Sequence, residues 1–131
     1  MSKKPASSAK KVLYVPERGD IIWLEFDPQS GREQSGRRPC LVLSPALYNG
    51  KTGLAVVCPI TNQAKGYSFE VALPAGFKTT GVVLADHVKS LDWRTRKAEF
   101  REKLLESIVR EVLDMTVSLL DPEEPAGEGG G

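Results

Sequence analysis

Short apolar runs, interrupted by proline and glycine, dominate the middle of the chain and predict β-strands. Residues 21–26 are rich in β-forming side chains, and Pro28 prevents the strand from continuing. Residues 40–43 form a short apolar run, typical of a central strand, which ends before Pro45. The next apolar run, at 54–60, predicts a strand that pairs antiparallel with the previous one.

Weaker patterns predict the connections and two further strands. The YNGKTG stretch at 48–53 contains Asn-Gly and a second glycine, which indicates a turn between two strands. Gly66 marks another turn. Residues 69–73 alternate apolar with small or polar side chains, and residues 81–88 form another apolar run, so each stretch predicts a strand.

The C-terminal stretch allows two interpretations. Either residues 98–120 form one helix, or Ala98 and Phe100 belong to a last short strand and the helix begins near Leu105. We favour the second interpretation, because an apolar stripe at helical spacing follows Leu105: Ile108, Val109, Val112, Leu113, Thr116, Leu119 and Leu120. Several short strands and a terminal helix predict a mainly β fold, a small and strongly bent SH3-like barrel with a C-terminal α-helix.

The two ends of the chain differ in composition from this folded stretch. Residues 1–11 are small, polar and basic, which predicts a disordered arm. Residues 121–131 are rich in proline, glycine and glutamate, which predicts a disordered acidic tail. The folded domain is therefore expected at 12–120, and a chain of 131 residues has room for one such domain.

Composition narrows the classes of function. A formal net charge of +1 indicates neither a nucleic-acid nor a membrane partner, so a nucleic-acid binder of this composition must gather its basic residues on one face. Without a bilayer-spanning apolar run or a signal-peptide pattern, we expect a cytoplasmic protein with no membrane partner. One histidine and no CxxC pair predict no metal site and no cofactor. Cys40 and Cys58 lie in apolar runs and are expected to be buried thiols.

The densest polar cluster, EQSGRRP, precedes the second predicted strand. Its paired arginines, Arg37 and Arg38, present planar donor forks that suit phosphate. Pro39 is expected to hold Arg38 at the start of the strand. The alternative is a solvated loop in which the arginines pair with Glu33 or Asp27.

A second polar cluster, TNQAKGY, follows the third predicted strand. In an antiparallel pair the start of one strand lies beside the end of the other, so Arg38 and Thr61 are expected at the same edge of the sheet. His87, the single histidine, suits acid–base catalysis and equally a structural hydrogen bond. Tyr67 and Trp93 adjoin loops and are candidates to stack a base, although aromatic side chains belong to the core by default.

These clusters resemble the MazF/PemK family of toxins. The stretches YVPERGDIIWLEFDP, GREQSGRRPCLVLSP, PITNQAKGYSFEV and GVVLADHVKSLDWRTR follow the family pattern in order from Tyr14 to Arg96. The resemblance implies an SH3-like barrel that forms a homodimer. It also implies a sequence-specific endoribonuclease that cleaves single-stranded mRNA without a metal ion, leaving a 2′,3′-cyclic phosphate and a 5′-hydroxyl.

The resemblance also assigns roles to particular residues. The family's catalytic arginine falls on Arg38, its catalytic threonine on Thr61 and its loop glutamate on Glu33. At the position of His87 the family commonly has glutamine, which argues against an essential histidine. The expected RNA-binding residues surround this centre: Gln34, Arg37, Asn62, Gln63 and Lys65. The partner implied is a MazE-like antitoxin with an acidic C-terminal segment.

Two other functions are compatible with a fold of this kind. A gyrase-poisoning toxin of the same fold acts by protein–protein contact and needs neither Arg38 nor Thr61. Toxins of that kind carry their contacts at an apolar C-terminus, whereas this sequence ends in GEGGG. A plain SH3-like binding module without chemistry is the third possibility.

Overall fold

Seven strands and two helices make up the part of the chain that this computed structural model describes, residues 14–26 and 36–121. The strands are β1 (Asp20–Glu25), β2 (Arg37–Val42), β3 (Leu54–Thr61), β4 (Glu70–Ala72), β5 (Val82–Leu84), β6 (Lys89–Asp92) and β7 (Glu99–Lys103). The helices are α1 (Ala46–Thr52) and α2 (Glu106–Leu120). The predicted arm, the predicted tail and the loop at 27–35 lie outside the described residues, in whole or nearly so.

The long strand β3 organises the sheet. The strand order is β4-β5-β3-β2-β1-β7, β6 pairs with β3 as well, and every pairing is antiparallel. The first half of β3 pairs with β6 from Leu54 to Val57, whereas its end pairs with β5 at Ile60 and Thr61. One strand therefore exchanges partners along its length, as strands do in strongly bent sheets. The expected mainly β, barrel-like fold with a C-terminal helix is confirmed.

Alternation along the central strands separates two apolar clusters. Ile21 packs on one face of the sheet with Val109 and Val112 of α2, while Ile22 packs on the other face with Trp93. Each face is thus filled by every second residue of a strand, as the pleat requires. The helix α2 covers the first face, and its described C-terminal end leaves Leu119 and Leu120 exposed.

The two cysteines lie in different clusters. Cys40 belongs to the cluster around Trp93 and Cys58 to the cluster under α2, and both are free and buried, as expected from the sequence. Burial raises the pKa of the Cys58 thiol to about 11 and raises that of Cys40 further. These thiols are therefore core residues in their protonated form rather than nucleophiles.

The turn predicted at 48–53 is wrong, because this stretch belongs to helix α1. Asn49 is fully buried: its side-chain amide donates to the carbonyls of Pro16 (2.8 Å) and Ser44 (3.0 Å). Its oxygen accepts the Ser44 hydroxyl at 2.6 Å. Only Gly53 behaves as a turn glycine, with φ of 77° at the end of the helix. Tertiary hydrogen bonds outweigh the local turn preference of Asn-Gly.

Two strand boundaries also differ from the prediction. β2 begins at Arg37, so Pro39 lies inside the strand rather than at its start. Proline is tolerated there because the pairing of β2 with β3 begins only at Cys40, which leaves Pro39 without a neighbour on that side. The strand predicted at 81–88 ends at Leu84, and β6 follows as a strand that was not predicted. By contrast, β7 and α2 confirm the preferred interpretation of the C-terminal stretch.

Candidate functional site

A cavity of about 500 Å³, here termed the central cavity, opens where β2 starts and β3 ends. Its walls come from four separate parts of the chain, which combine apolar, aromatic and charged side chains. It is lined by Phe26, Arg38, Pro59, Ile60, Thr61, Gln63, Lys65, Tyr67, Glu70, Leu84 and His87. An apolar pocket with a few converging polar groups is the usual form of a ligand site.

A second, more polar depression of about 440 Å³, here termed the side groove, adjoins this cavity. The two share part of their walls, including Arg38 and Thr61. The side groove is lined by Arg37, Arg38, Pro39, Ile60, Thr61, Asn62, Gln63 and Thr80. Together the two depressions form one continuous surface with Arg38 and Thr61 at its centre.

Sheet register brings Arg38 and Thr61 to the same end of the β2–β3 pair. The ladder ends with Cys40 opposite Pro59, Arg38 and Thr61 lie two residues beyond that pair on their strands, and both line the two depressions. The expectation that they share one edge of the sheet is confirmed. Arg38 is exposed, and its guanidinium forms no ion pair with any carboxylate of the described residues.

Close packing against β5 positions Thr61. A Cβ atom built on Gly81 would lie 2.2 Å from the Thr61 carbonyl oxygen, and Gly81 has φ of +110°, so only glycine fits at this position. The Thr61 hydroxyl accepts the N–H of Gln63 at 3.1 Å and can still donate its own proton. The Asn62 side-chain oxygen accepts the Thr80 hydroxyl at 2.8 Å. The polar end of β3 is therefore held from the side of β5.

A carboxylate that sequence reasoning missed fixes the loop after β3. Glu70 accepts the backbone N–H groups of Lys65 and Gly66, each at 2.9 Å. The N–H of Lys65 and then that of Gly66 lower the pKa of the Glu70 carboxyl. Glu70 thus bends the loop so that Lys65 lies on the wall of the central cavity. No sequence signal marks it, because Glu70 occurs in an ordinary alternating strand pattern.

Arg37 and Arg38 occupy different environments although they are neighbours. The Arg37 guanidinium lies 2.5 Å from a Glu99 carboxylate oxygen and 5.7 Å from the centre of the Trp23 ring. Arg101 also lies over Trp23, at 5.0 Å. Arg37 therefore forms an ion pair with Glu99, which the sequence did not suggest, whereas Arg38 lines the cavity. The alternative pairing with Glu33 or Asp27 involves residues outside the described ranges.

The remaining sequence candidates divide into three groups. Tyr67 and His87 line the central cavity. Trp93 is 5% exposed and its indole N–H donates to the Asn49 carbonyl at 3.0 Å, so it is a core residue. Glu33 and Gln34 lie outside the described residues.

Among the described residues no three side chains of the metal-ligating kind come together, and no helix is long and apolar enough to cross a membrane.

Comparison with known proteins adds independent findings. Residues 17–119 match the family described as the PemK-like, MazF-like toxin of type II toxin–antitoxin systems. The chain is 56% identical over 85 residues to an endoribonuclease toxin MazF of Escherichia coli strain K12, covering 65% of this chain and 76% of that protein. It is 40% identical over 108 residues to an endoribonuclease PemK of Escherichia coli, covering 79% and 81%.

Solved structures give the same picture. A crystal structure of MazF from Deinococcus radiodurans superposes with a TM-score of 0.75 at 57% identity, covering 82% of this chain and 97% of that one. A MazE–MazF structure from the same organism superposes with a TM-score of 0.74 at 52% identity, covering 82% and 96%.

Proposed function

The chain belongs to the PemK-like, MazF-like family of type II toxin–antitoxin toxins and is an endoribonuclease, and we propose that it cleaves single-stranded mRNA at short specific sequences without a metal ion. The observation that carries this proposal is the placement of Arg38 and Thr61 together on the shared wall of two depressions. A scissile phosphate bound there has room for neighbouring nucleotides on both sides.

The proposed reaction uses the 2′-hydroxyl of the RNA as nucleophile. Its oxygen forms a bond to phosphorus, the bond from phosphorus to the 5′-oxygen breaks, and the products carry a 2′,3′-cyclic phosphate and a 5′-hydroxyl. Negative charge grows on the non-bridging oxygens in the transition state. The exposed guanidinium of Arg38 is a permanent cation with a planar fork and stabilises that charge. The Thr61 hydroxyl donates to a non-bridging oxygen or orients the 2′-hydroxyl.

A separate group must accept the proton of the 2′-hydroxyl. Arg38 is unsuitable, because arginine stays protonated up to a pKa above about 12. We assign this role to Glu33, which the sequence places in the loop before Arg38 and which lies outside the described residues. DNA lacks the nucleophile and is expected to bind without being cleaved.

The two depressions suggest a path for the RNA. Asn62 and Gln63 present amide groups to the side groove, which suits hydrogen bonding to base edges. Lys65 and Tyr67 line the central cavity, where an ammonium group and an aromatic ring suit a phosphate and a base. Arg37 also lines the side groove. We propose that these residues, with Gln34, select the recognition sequence.

An antitoxin is the expected protein partner, since a related MazF, from Deinococcus radiodurans, has been crystallised with MazE in three crystal forms. We propose that an acidic C-terminal segment of a MazE-like antitoxin binds across Arg37, Arg38 and Lys65, so that it competes with RNA. A peptide of that segment should raise the KM for RNA and leave kcat unchanged. Inhibition that does not depend on RNA concentration would contradict the shared surface.

We further propose that the chain works as a cytoplasmic homodimer. Phe100 is 49% exposed on β7, the end strand of the sheet order, where an apolar side chain gains by being covered. Sedimentation velocity of the purified protein should show twice the chain mass of 14.3 kDa at micromolar concentration. A monomer that cleaves RNA at full rate would show that the homodimer is not required for activity.

The test of the activity is cleavage of a single-stranded RNA transcript in excess EDTA, with analysis of the product ends. Cleavage should persist, at a few defined sites, and yield cyclic phosphate and 5′-hydroxyl ends. A matched DNA strand should remain intact. Dependence on Mg²⁺, or products with a 5′-phosphate, would indicate a nuclease of a different class.

A further inference from the structure

Neither Arg38 nor Thr61 is a suitable proton donor to the 5′-oxygen that leaves during cleavage. When the bond to the 5′-oxygen breaks, that oxygen leaves as an alkoxide unless a proton reaches it. Arginine holds its proton too firmly to transfer it near neutral pH, and a threonine hydroxyl is too weak an acid. A side chain that exchanges a proton between about pH 5 and 8 suits this step, and histidine is the residue with that property.

His87 is the only histidine of the sequence, and it lines the central cavity with Arg38 and Thr61. It follows β5, where its backbone N–H donates to the Leu84 carbonyl at 3.0 Å and fixes the turn. Its side chain remains 52% exposed, so the imidazole is open to a ligand and to proton exchange with water. Among the described residues, no side-chain hydrogen bond occupies the imidazole.

Charged groups of both signs surround the His87 imidazole. An Asp86 carboxylate oxygen lies 3.8 Å from Nε2 of His87 on the same turn. The other walls contribute Glu70 from β4, Lys65 from the loop after β3 and Arg38 from β2. From β6, the Lys89 ammonium lies 5.6 Å from the centre of the ring of Phe26, which lines the cavity. Acidic and basic groups are thus mixed, and a bound phosphate would add negative charge, which favours the protonated imidazole.

We propose that His87, as the imidazolium, is the general acid that protonates the 5′-oxygen as it leaves. An N–H proton of the ring passes to that oxygen, the ring becomes neutral, and it regains a proton from water after the products depart. The 2′-hydroxyl proton goes separately to the base. The inference rests on the proposed function, and it assigns this role to the present chain rather than to the family, where glutamine is common at this position.

The first test is the dependence of kcat on pH, measured on an RNA that carries the mapped cleavage sequence. The wild type should lose activity as pH rises through the imidazole range. His87→Gln and His87→Ala should lower kcat at pH 6 to 7 by about a hundredfold, within the usual range for general acid catalysis. Both variants should also lose this alkaline decline. Glu111→Gln, exposed on α2, is the matched control and should behave as the wild type.

The second test separates proton transfer from binding. An RNA with sulfur in place of the scissile 5′-oxygen needs no acid, because a thiolate leaves without a proton. On this substrate His87→Gln should cleave within a few-fold of the wild type. An equal defect on both substrates, or no defect on either, would overturn the assignment.

If a His87 variant fails to fold, an NMR titration of the wild-type protein tests the same role directly. Since the sequence has a single histidine, a tag-free sample gives one set of imidazole resonances, whose titration can be followed by NMR. An RNA with a 2′-deoxy scissile nucleotide should shift that titration to higher pH; an unchanged titration would contradict contact with the phosphate. If the wild type cleaves RNA and needs Arg38 while His87 is dispensable, only this inference fails. If the wild type cleaves no RNA, the proposed function itself fails.

Discussion

The two ends of the β2–β3 pair carry opposite kinds of polar chemistry. At one end, the fully buried Asn49 has every side-chain hydrogen bond directed into the chain, to Pro16 and Ser44. At the other end, Arg38 and Asn62 are exposed, and Arg38 has no ion-pair partner among the described residues. Partnered polar groups contribute to stability, whereas unpartnered ones remain available to a ligand. The same two strands therefore anchor the fold at one end and, in the proposed function, bind RNA at the other.

At the end of the β2–β3 pair that carries Arg38, substitution of Arg38 itself is expected to have the largest effect on RNA cleavage. Arg38→Ala should lower kcat/KM for RNA by about a hundredfold or more, the scale of losing one transition-state donor. Arg38→Lys should fail to restore it, because an ammonium lacks the planar fork. Thermal unfolding should be unchanged, since the exposed side chain supports no contact in the core. A variant that folds normally and cleaves at the wild-type rate would refute the assignment.

Thr61 provides a second and similar test. Thr61→Ala should reduce RNA cleavage by about a hundredfold, because a hydrogen-bond donor to the transition state is lost. Thr61→Ser keeps the hydroxyl and should retain most activity, which separates the role of the oxygen from that of the methyl group. Single-turnover cleavage under matched conditions measures both variants. Equal activity of the alanine and serine variants would show that the hydroxyl has no part in the reaction.

A matched pair of asparagines compares the two ends directly. Asn49→Ala should destabilise the fold by about 2 kcal/mol, because its buried partners lose their hydrogen bonds. Asn62→Ala removes an exposed side chain and its hydrogen bond from the Thr80 hydroxyl, which water can replace. The free energy of unfolding should therefore stay within about 0.5 kcal/mol of the wild type. The second variant should instead bind RNA more weakly. Urea unfolding and RNA-binding titrations on both variants measure these effects. If Asn62→Ala lost stability while Asn49→Ala lost only RNA binding, the comparison of the two ends would be wrong.

The smallest effect is expected at Glu70, which supports the loop without contacting the phosphate in the proposed reaction. Glu70→Gln should weaken the N–H contacts at Lys65 and Gly66 and raise KM a few-fold, with little change in kcat. Since the folded state lowers the pKa of this carboxyl, its contribution is present above the ordinary carboxyl range and is lost as pH falls through the lowered value. The protection factor of the Lys65 amide, which is its hydrogen-exchange rate relative to the intrinsic rate at the same pH, should fall between neutral and acid pH. A higher protection factor in acid would contradict the sign of this effect.

Local patterns in the sequence were sufficient for most strands, for α2 and for the Arg38–Thr61 pair. Period-two alternation reports which face of a strand is buried, and the order of two adjacent strands determines which of their ends meet. The same local signals failed at α1, where Asn-Gly predicts a turn. The side-chain hydrogen bonds of Asn49 to Pro16 and Ser44 decide that region, and they join segments that no short window of sequence contains.

The sequence by itself determined the apolar pattern, the polar clusters at 33–39 and 61–67, and, through its resemblance to a family, the class of enzyme. Only the tertiary structure decided which residues share the central cavity. Glu70 and His87 reach it from β4 and from the turn after β5, because β3 changes partners along its length and brings β5 against Thr61. Periodicity depends on a few neighbouring residues, whereas this convergence depends on register and bending that arise from the packing of the whole sheet.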